Sequence, residues 1–391
     1  MDARPNEERI RRHVQHLAGV LGSRGPNTEN ERSAAQYIRQ RFEQHHSRVA
    51  VEEFSSPDTF YPLLASYYAE FTVVSVLATW LPSVALVYGL VVFGLYIAEI
   101  TGYRVVSRLL PEFTSQNVFA RHPGAHARRT VVVTAHYDTG KDTPLAGAGR
   151  SPWMRNLHYA LIACMLLVLF SCLAQSQGLF EDEPMRPDYI ARWAGAMVLL
   201  TAAGWLGLHE LASDQRPGAN DNASGVAALL ELNEQLSHTP LPHCDVWLVA
   251  TGSKEGWLNG IRHFVTHHQL DHEYTYFINI ERVGVGQLHY VTAEGVLHPF
   301  DSDSFMVKQL EAMAGAYGME PYVHHGLPTD AYLPAARGYK TVSLMAAPPD
   351  MKEGAWDSVA QIDAGLIARA ADAAYDLMRR IDAASAPDSG H

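Results

Sequence analysis

Five side chains of the types that bind metal ions lie at predicted strand ends, at a helix start or in a late loop. His136 follows TVVVTA, Asp221 precedes the helix in PGANDNASGVAALLEL, Glu255 follows DVWLVATGSK, and Glu281 follows YTYFINI. Glu353 lies in the loop after TVSLMA. One histidine with several carboxylates suits Zn²⁺ or a similar divalent ion, and a single carboxylate can bridge two ions. The sequence therefore predicts a site for one or two zinc ions, with another divalent metal as the alternative.

The polar part of the chain alternates strands with helices. β-branched or alternating segments predict strands at 48–54, 117–121, 130–135, 245–250, 274–280 and 341–346. Apolar stripes at helical spacing predict helices at 7–21, 29–44, 224–236, 303–317 and 364–381. This alternation indicates an α/β protein with a mostly parallel mixed sheet sandwiched by helices. Ligand sites in such sheets form beyond the carboxyl ends of the strands, which is where the candidate metal ligands fall.

Composition excludes some classes of protein. A chain of 391 residues is long enough for one large domain or two smaller ones. Its formal charge of -12 argues against a nucleic-acid partner, which requires a basic surface. Its 3 cysteines exclude a disulfide framework.

Four segments are almost free of charge and reach the roughly 20 residues that a spanning helix needs. They are residues 61–80, 84–102, 158–180 and 191–212. They form two pairs, so we expect about four transmembrane helices inserted as two hairpins, with the lipid bilayer as a partner. Buried helices of a soluble protein are the alternative interpretation.

A hairpin returns the chain to the side from which it entered, so the polar segments share one side of the membrane. Arginines flank the hairpins on that side in modest excess, and the N-terminal MDARPNEERIRRHVQHL lacks the apolar core of a signal peptide. We therefore expect an integral membrane protein, of the bacterial inner-membrane type, with a cytoplasmic polar domain.

The two hairpins divide the chain in sequence without dividing the predicted sheet. Residues 1–56, 113–156 and 213–382 are expected to form one domain together. Residues 57–112 and 157–212 would be the hairpins, and residues 383–391 a flexible tail. Because the second hairpin joins two segments with candidate ligands, we expect the site to face the membrane and the substrate to be membrane-associated.

The order of these motifs resembles the aminopeptidase Y-type zinc exopeptidases (clan MH, family 28), a group that also contains glutaminyl cyclase and glutamate carboxypeptidase. The resemblance runs from about residue 7 to 380, interrupted by the hairpins. The matching stretches are VVVTAHYDTG, PGANDNASGVAALLEL, VATGSKEGWLNGIRHFV, FINIERVG, GLPTDAYLPAARGYKTVSL and EGAWDSVAQID. The resemblance implies the zinc exopeptidase fold and a metal-dependent peptidase or amidohydrolase of aminopeptidase type.

The resemblance also implies roles for individual residues. His136 would be a metal ligand, with Asp138 hydrogen-bonded behind its imidazole and fixing the tautomer. Asp221 would bridge two ions. Glu255 would bind one ion, and Glu281 would bind the other alongside His136. The family usually has aspartate where Glu281 stands, and glutamate can also ligate.

Two positions depart from the family pattern. Lys254 stands where the family has the glutamate that acts as general base, and Glu353, four residues before Asp357, stands where it has the last histidine ligand. Beside a divalent cation the pKa of Lys254 should fall, so that a neutral amine could act as the catalytic base. An ammonium could instead pair with Glu353 or Glu255 and occupy the volume of the second ion. The remaining ligands would then hold one metal or none.

These departures leave three functions open. The first is a membrane-anchored metal-dependent hydrolase of a peptide-like substrate. The second is a metalloenzyme rebuilt for cyclisation or for transfer to an amine-bearing substrate. The third is a non-catalytic binding or scaffold protein on a peptidase fold, because sites and not folds determine function.

Three further residues are candidates for substrate contact. Tyr137 lies beside a candidate ligand, His325 lies in a loop expected near the edge of the site, and Asp330 belongs to a motif that resembles one beside the family's active-site loops. Each has a structural alternative. Tyr137 could be a core side chain, His325 a solvated loop residue, and Asp330 a structural hydrogen-bond acceptor.

Overall fold

The chain forms two compact units. The computed structural model describes residues 5–45, 48–141, 152–183, 185–295, 298–347 and 357–385. The first unit comprises Met1–Asp58, Glu112–Arg150 and Asp214–His391. The second comprises Thr59–Pro111 and Ser151–Ser213. The chain therefore leaves the first unit twice and returns to it twice.

The first unit is built on a mixed sheet. Its strands are β1 (Arg48–Ser56), β2 (Phe113–His122), β3 (Arg129–His136), β4 (Cys244–Thr251), β5 (Thr275–Glu281), β6 (Gln287–Glu294), β7 (Phe300–Asp301), β8 (Met319–His324) and β9 (Lys340–Ala347). They are ordered β1-β2-β4-β3-β5-β9-β6-β7, and β8 pairs with β6. The central strands β4, β3, β5 and β9 are parallel, whereas β2 and β6 join them antiparallel on either side. The predicted mostly parallel mixed sheet is confirmed.

Helices cover this sheet, and the second unit is helical. In chain order the helices are α1 (Pro5–Val14), α2 (Glu29–Glu43), α3 (Tyr61–Leu77), α4 (Pro82–Ile100), α5 (Pro152–Ser176), α6 (Pro187–Ala212), α7 (Ser224–His238), α8 (Asn259–His268), α9 (Ser304–Tyr317), α10 (Tyr332–Ala336) and α11 (Ala364–Ala383). A π-helical turn, Gln15–Val20, follows α1, and a kinked segment, Ala219–Ala223, precedes α7.

Alternate side chains of β3 enter two hydrophobic cores, as the pleat of a strand requires. Val131 and Val133 belong to one core together with buried residues of α1, α2, α7, α9 and α11. Val132, between them, belongs to the other core with residues of α8 and α10. The sheet is thus covered on both faces, which explains why its central strands are almost continuously apolar.

The parallel centre of the sheet determines where the candidate ligands meet. His136, the last residue of β3, lies opposite Thr251 at the end of β4. Glu281, the last residue of β5, lies opposite Met345 of β9. Because parallel strands end at the same edge, these residues share one rim of the sheet.

The sequence prediction missed one side of the sheet, where β6, β7 and β8 were not predicted. His324 ends β8, is buried, and its Nε2 lies 2.9 Å from the carbonyl oxygen of Leu327. β8 and β7 are short and partly exposed, so their side chains show little hydrophobic periodicity.

The second unit consists of α3, α4, α5 and α6. Within the described residues, three helical spans are long and apolar enough to cross a membrane: Pro82–Ile100, Arg155–Ser176 and Pro187–Ala212. The fourth predicted span corresponds to α3, which has only 17 residues and is not among them. Large apolar side chains on these helices are exposed, for example Val87, Phe170, Leu208 and Leu211. Exposed apolar surface of this kind indicates association with a membrane.

Polar residues of the second unit have partners within it. Tyr88 donates a hydrogen bond to Glu70 Oε2 at 2.5 Å, which joins α4 to α3. Glu99 is buried near the end of α4, and its Oε1 accepts hydrogen bonds from the backbone N–H groups of residues 105–107 at 2.5–2.9 Å. Both carboxyl groups are therefore stabilised locally, as polar groups in an apolar helical unit must be.

Candidate metal centre

Three side chains from different elements meet at the rim of the sheet. His136 ends β3, Glu281 ends β5, and Asp221 lies with a non-helical backbone in the segment Ala219–Ala223 before α7. One ligand atom of each lies within 4.8 Å of the others, and all three residues are buried. His136 Nε2 is 3.3 Å from Asp221 Oδ1. These three residues are called the metal triad below.

The metal triad fits a divalent ion. Within the described part of the chain, His136 Nε2 and Asp221 Oδ1 are buried side-chain atoms without a hydrogen-bond partner. Leaving buried polar atoms unsatisfied costs free energy, so native structures rarely do so without a bound ion or water. An imidazole nitrogen with carboxylate oxygens is a zinc donor set. Three of the predicted ligands therefore form a buried group of a kind that could hold a metal ion.

Asp138 orients the imidazole of His136. The Nδ1 atom of His136 lies 3.1 Å from the carbonyl oxygen of Asp138 and 3.5 Å from its carboxylate Oδ1. Because these oxygens can only accept from a ring N–H, Nδ1 carries a proton in this arrangement, and a bound ion would take the place of any proton on Nε2, which faces the metal triad. The second carboxylate oxygen of Asp138 accepts from the backbone N–H of Glu255 at 2.9 Å, so Asp138 also holds the following turn.

Lys254 reaches from that turn into the metal triad. Its Nζ is 2.9 Å from Glu255 Oε1 and 3.5 Å from Glu281 Oε1. Burial opposes the charge on Lys254, but Glu255, Glu281 and Asp221 outweigh it and hold its pKa well above its ordinary value. Without a bound ion, the neighbouring side chains therefore favour the charged ammonium form of Lys254. The pKa of Lys254 could fall to the value expected of a catalytic base only if bound cations lay beside it.

Glu255 lies beside Lys254 and outside the metal triad. Among the described residues, the group whose ligand atoms cluster contains Asp221 and Glu281 but not Glu255. The structure therefore brings together three of the five predicted ligands. Glu353, the fifth, lies outside the described residues. The ligand roles of Glu255 and Glu353 remain predictions.

A buried arginine, not predicted from sequence, joins the segments that hold the metal triad. Arg24 is fully buried, and its guanidinium donates to backbone carbonyl oxygens at 2.7–2.9 Å. Those oxygens belong to Leu17, Gly22, Tyr137, Pro217 and Gly218. Burial lowers the pKa of Arg24 to about 10, and nearby Asp357, Asp138 and Asp221 oppose that change. Arg24 thereby fixes the segment after β3 against the segment before Asp221.

Asp357 holds the backbone of Asp221 from the other side. Its Oδ1 accepts from the N–H groups of Asn220 and Asp221 at 2.7 and 3.0 Å. Burial raises the pKa of Asp357 to about 6, because the charged form loses solvation and Asp221 lies nearby. The turn that presents Asp221 is therefore positioned by an acidic group about 140 residues away in sequence.

Glu31 is a second positioning residue that sequence reasoning missed. It lies in the first turn of α2, and its Oε1 accepts from Ser115 Oγ at 2.8 Å and from the N–H of Ser253 at 3.0 Å. Ser253 immediately precedes Lys254, so this bond fixes the turn. Glu31 is buried on the same helical stripe as apolar residues such as Ile38 and Phe42. An acidic residue on an apolar stripe is the sequence feature that could have identified it.

The candidate substrate-contact residues occupy different environments. Tyr137 is fully buried in the hydrophobic core, and its hydroxyl is hydrogen-bonded to Gln116. This environment matches a core side chain rather than a substrate-contact residue. Asp330 is buried and accepts from Thr251 Oγ1 at 2.5 Å; burial raises its pKa to about 6. His325 is half-buried just after β8.

The comparisons with known proteins agree with this geometry. The model of Peptidase family M28 matches residues 201–378, which include Asp221, Lys254, Glu255 and Glu281. No curated protein matches the chain. The resemblance to the zinc exopeptidases is confirmed by this family match together with the fold.

Solved structures share the fold at low sequence identity. BSAP, a zinc aminopeptidase from Bacillus subtilis, has a TM-score of 0.56 and 14% identity, over 97% of this chain and 96% of that one. A glutaminyl cyclase from an Acidobacteriales bacterium has a TM-score of 0.55 and 14% identity, over 98% and 97%. An aminopeptidase from Aneurinibacillus sp. strain AM-1 has a TM-score of 0.55 and 14% identity, over 96% and 93%. The chain therefore has the fold of both aminopeptidases and glutaminyl cyclases.

The ionisation of Glu31 should make the stability of the protein depend on pH. Burial and the nearby Asp138 raise the pKa of Glu31 from 4.5 to about 8. A folded-state pKa above the unfolded value contributes stability that is complete below about pH 4.5 and is lost as the pH rises through about 8. This loss should amount to about 1 kcal/mol per pH unit within that window. Thermal unfolding of Glu31→Gln should show a flatter pH dependence than wild type between these limits; parallel curves would contradict the assignment.

Proposed function

We propose that this protein is a membrane-anchored, metal-dependent amide hydrolase of exopeptidase type that works with a single zinc ion. The observation that supports this most directly is the buried metal triad, with Lys254 Nζ placed 3.5 Å from Glu281. The triad supplies three ligands for one ion. The ammonium supplies positive charge in the place where a second ion would be expected from the family resemblance.

The charge pattern favours one ion over two. A second cation next to Glu255 and Glu281 would have to displace the ammonium of Lys254, which is already paired with both carboxylates. Two divalent ions and an ammonium within a few ångströms would repel one another more strongly than one ion and the ammonium do. In the proposed arrangement His136, Asp221 and Glu281 hold the ion, and Lys254 and Glu255 form an ion pair beside it.

Each side chain has a proposed part in hydrolysis. A zinc ion bound to the triad would act as a Lewis acid towards the amide carbonyl. Glu255 accepts the proton of the attacking water, because its side chain is partly exposed and is aligned by Lys254. Lys254 stabilises the negative charge that develops on the substrate oxygen. Water adds across the C–N bond, so that the acyl carbon gains the hydroxyl group and the nitrogen leaves with a proton.

The substrate class follows from the family match. Peptidase family M28 is a family of peptidases, and the solved structures with this fold include two aminopeptidases. We therefore propose a peptide-like substrate with an amide bond close to one end. The cytoplasmic orientation and a membrane-associated substrate, both expected from sequence, remain part of this proposal.

Cyclisation is the second candidate. The ion pair between Lys254 and Glu255 favours this reaction, because it engages the carboxylate that would otherwise activate water. Cyclisation needs no activated water, since an amine of the substrate attacks a carbonyl group of the same molecule. Solved structures with this fold include glutaminyl cyclases. The mass of the product separates the two reactions, since hydrolysis adds one water and cyclisation of a glutamine side chain releases ammonia.

Activity of the zinc-loaded full-length chain in detergent tests the hydrolase proposal. The protein should cleave short peptides, lose activity on chelation and regain it with zinc. Glu255→Gln should lower kcat by about 10²–10⁴-fold while the zinc content is unchanged, because a general base contributes about that much. Conversion of a substrate without uptake of water would favour cyclisation. Absence of any turnover by zinc-loaded protein would contradict both reactions.

Membrane anchoring is tested by extraction. The three apolar spans should keep the chain in the membrane pellet after washing with alkaline carbonate, which releases peripheral proteins. Detergent should be needed to release it. A chain that appears in the carbonate supernatant would show that the helices of the second unit are buried in a soluble protein.

A further inference from the structure

The guanidinium of Arg282 lies beside the metal triad and has no part in the proposed hydrolysis. Arg282 follows Glu281 at the end of β5, and its φ of 54° places it in the left-handed region, which is uncommon for a residue with a side chain. Its backbone N–H donates to Asn222 Oδ1 at 2.9 Å, and its carbonyl oxygen accepts from the N–H of Ala346 at 3.1 Å. These bonds fix the backbone, and therefore the point from which the side chain extends.

The guanidinium of Arg282 has few partners within the described part of the chain. Its Nη2 is 3.5 Å from Glu281 Oε1, an oxygen that also faces Lys254. Its Nε is buried without a hydrogen-bond partner among those residues. The side chain is 17% exposed, so a small molecule in the site can reach it. A guanidinium has five N–H donors in a fixed fork, and one ion pair uses only a small part of this capacity.

The charge around Arg282 changes when an ion is bound. A divalent ion in the triad would offset the charges of Asp221 and Glu281, and Lys254 is already paired with Glu255. Arg282 would then face a carboxylate whose charge is neutralised by the ion. A second guanidinium, that of Arg216, lies 3.8 Å from Asp221 Oδ2. The loaded site should therefore attract an anionic group and repel a cationic one at the position of Arg282.

We propose, resting on the hydrolase function above, that Arg282 binds a carboxylate of the substrate. A planar guanidinium binds a carboxylate through two parallel hydrogen bonds. Because Arg282 adjoins Glu281, this carboxylate must lie only a few bonds from the amide that is cleaved. The matching substrates are dipeptides or N-acylated amino acids, in which the α-carboxylate is attached to the carbon next to the amide nitrogen. Hydrolysis releases the amino acid with that carboxylate unchanged.

Paired substrates test this assignment. Zinc-loaded full-length chain in detergent is assayed with alanyl-alanine and with alanyl-alaninamide, which differ only in the carboxylate. Wild type should prefer the free acid. Arg282→Gln should raise KM for the free acid by about tenfold to a hundredfold, since a charge-assisted hydrogen bond is worth about that much, and should change the amide little. Arg337→Gln is the matched control, because Arg337 pairs with Thr266 outside the site.

A binding measurement separates this assignment from the proposed hydrolysis. Calorimetry with N-acetylalanine and N-acetylalaninamide requires no turnover, and the zinc content of each variant is measured alongside. Tighter binding of the acid by wild type, lost in Arg282→Gln at unchanged zinc content, supports the carboxylate site even if neither dipeptide is hydrolysed. Equal binding of acid and amide by wild type overturns it. A loss of zinc or an equal loss of both ligands in Arg282→Gln also overturns it, because Arg282 would then be structural.

Discussion

Compensation of buried negative charge is the constraint on which the rest of the site depends. The parallel strands end at one rim, and the turns beyond them bring several carboxylates into a space with little solvent. A buried carboxylate without a counter-charge is expensive, and neighbouring carboxylates increase the cost. Buried or half-buried cationic side chains balance this negative charge; they are Arg24, Arg216, Lys254 and Arg282. Among the described residues, two ligand atoms of the metal triad, His136 Nε2 and Asp221 Oδ1, are buried without a hydrogen-bond partner, and an ion would complete the compensation there.

Lys254 connects this constraint to function. The zinc exopeptidases that this chain resembles have a glutamate at this position. Each additional carboxylate at the rim requires additional positive charge, which bound metal ions can supply. The lysine replaces a negative charge with a positive one at 2.9 Å from Glu255, which is why the proposed centre needs only a single ion. The turn that presents Lys254 is held by Glu31 through Ser253 and by Asp138 through Glu255. The site is therefore held by defined contacts on both sides of the lysine, which favours a rebuilt metal centre over a decayed one.

Much of the fold was predictable because it depends on local pattern. β-branched runs followed by polar residues predicted the central strands, and the end of each strand located His136 and Glu281. β7 and β8 are short and partly exposed, and β6 has partly exposed positions, so these strands lack such a pattern. Arg24 and Glu31 could not be assigned roles, because their partners lie up to 222 residues away in sequence. The charge state of Lys254 likewise depends on three carboxylates from separate segments, which only the folded chain brings together.

The number of zinc ions per chain tests the central claim most directly. Detergent-purified wild type, Asp221→Ala and Lys254→Glu would be saturated with zinc, washed, and analysed by elemental mass spectrometry. A single-ion centre predicts about one zinc in wild type, close to none in Asp221→Ala, and a gain towards two in Lys254→Glu, where a carboxylate replaces the ammonium. Two ions in wild type would contradict the proposed role of Lys254. Absence of zinc from wild type would contradict a metalloenzyme and leave the non-catalytic scaffold.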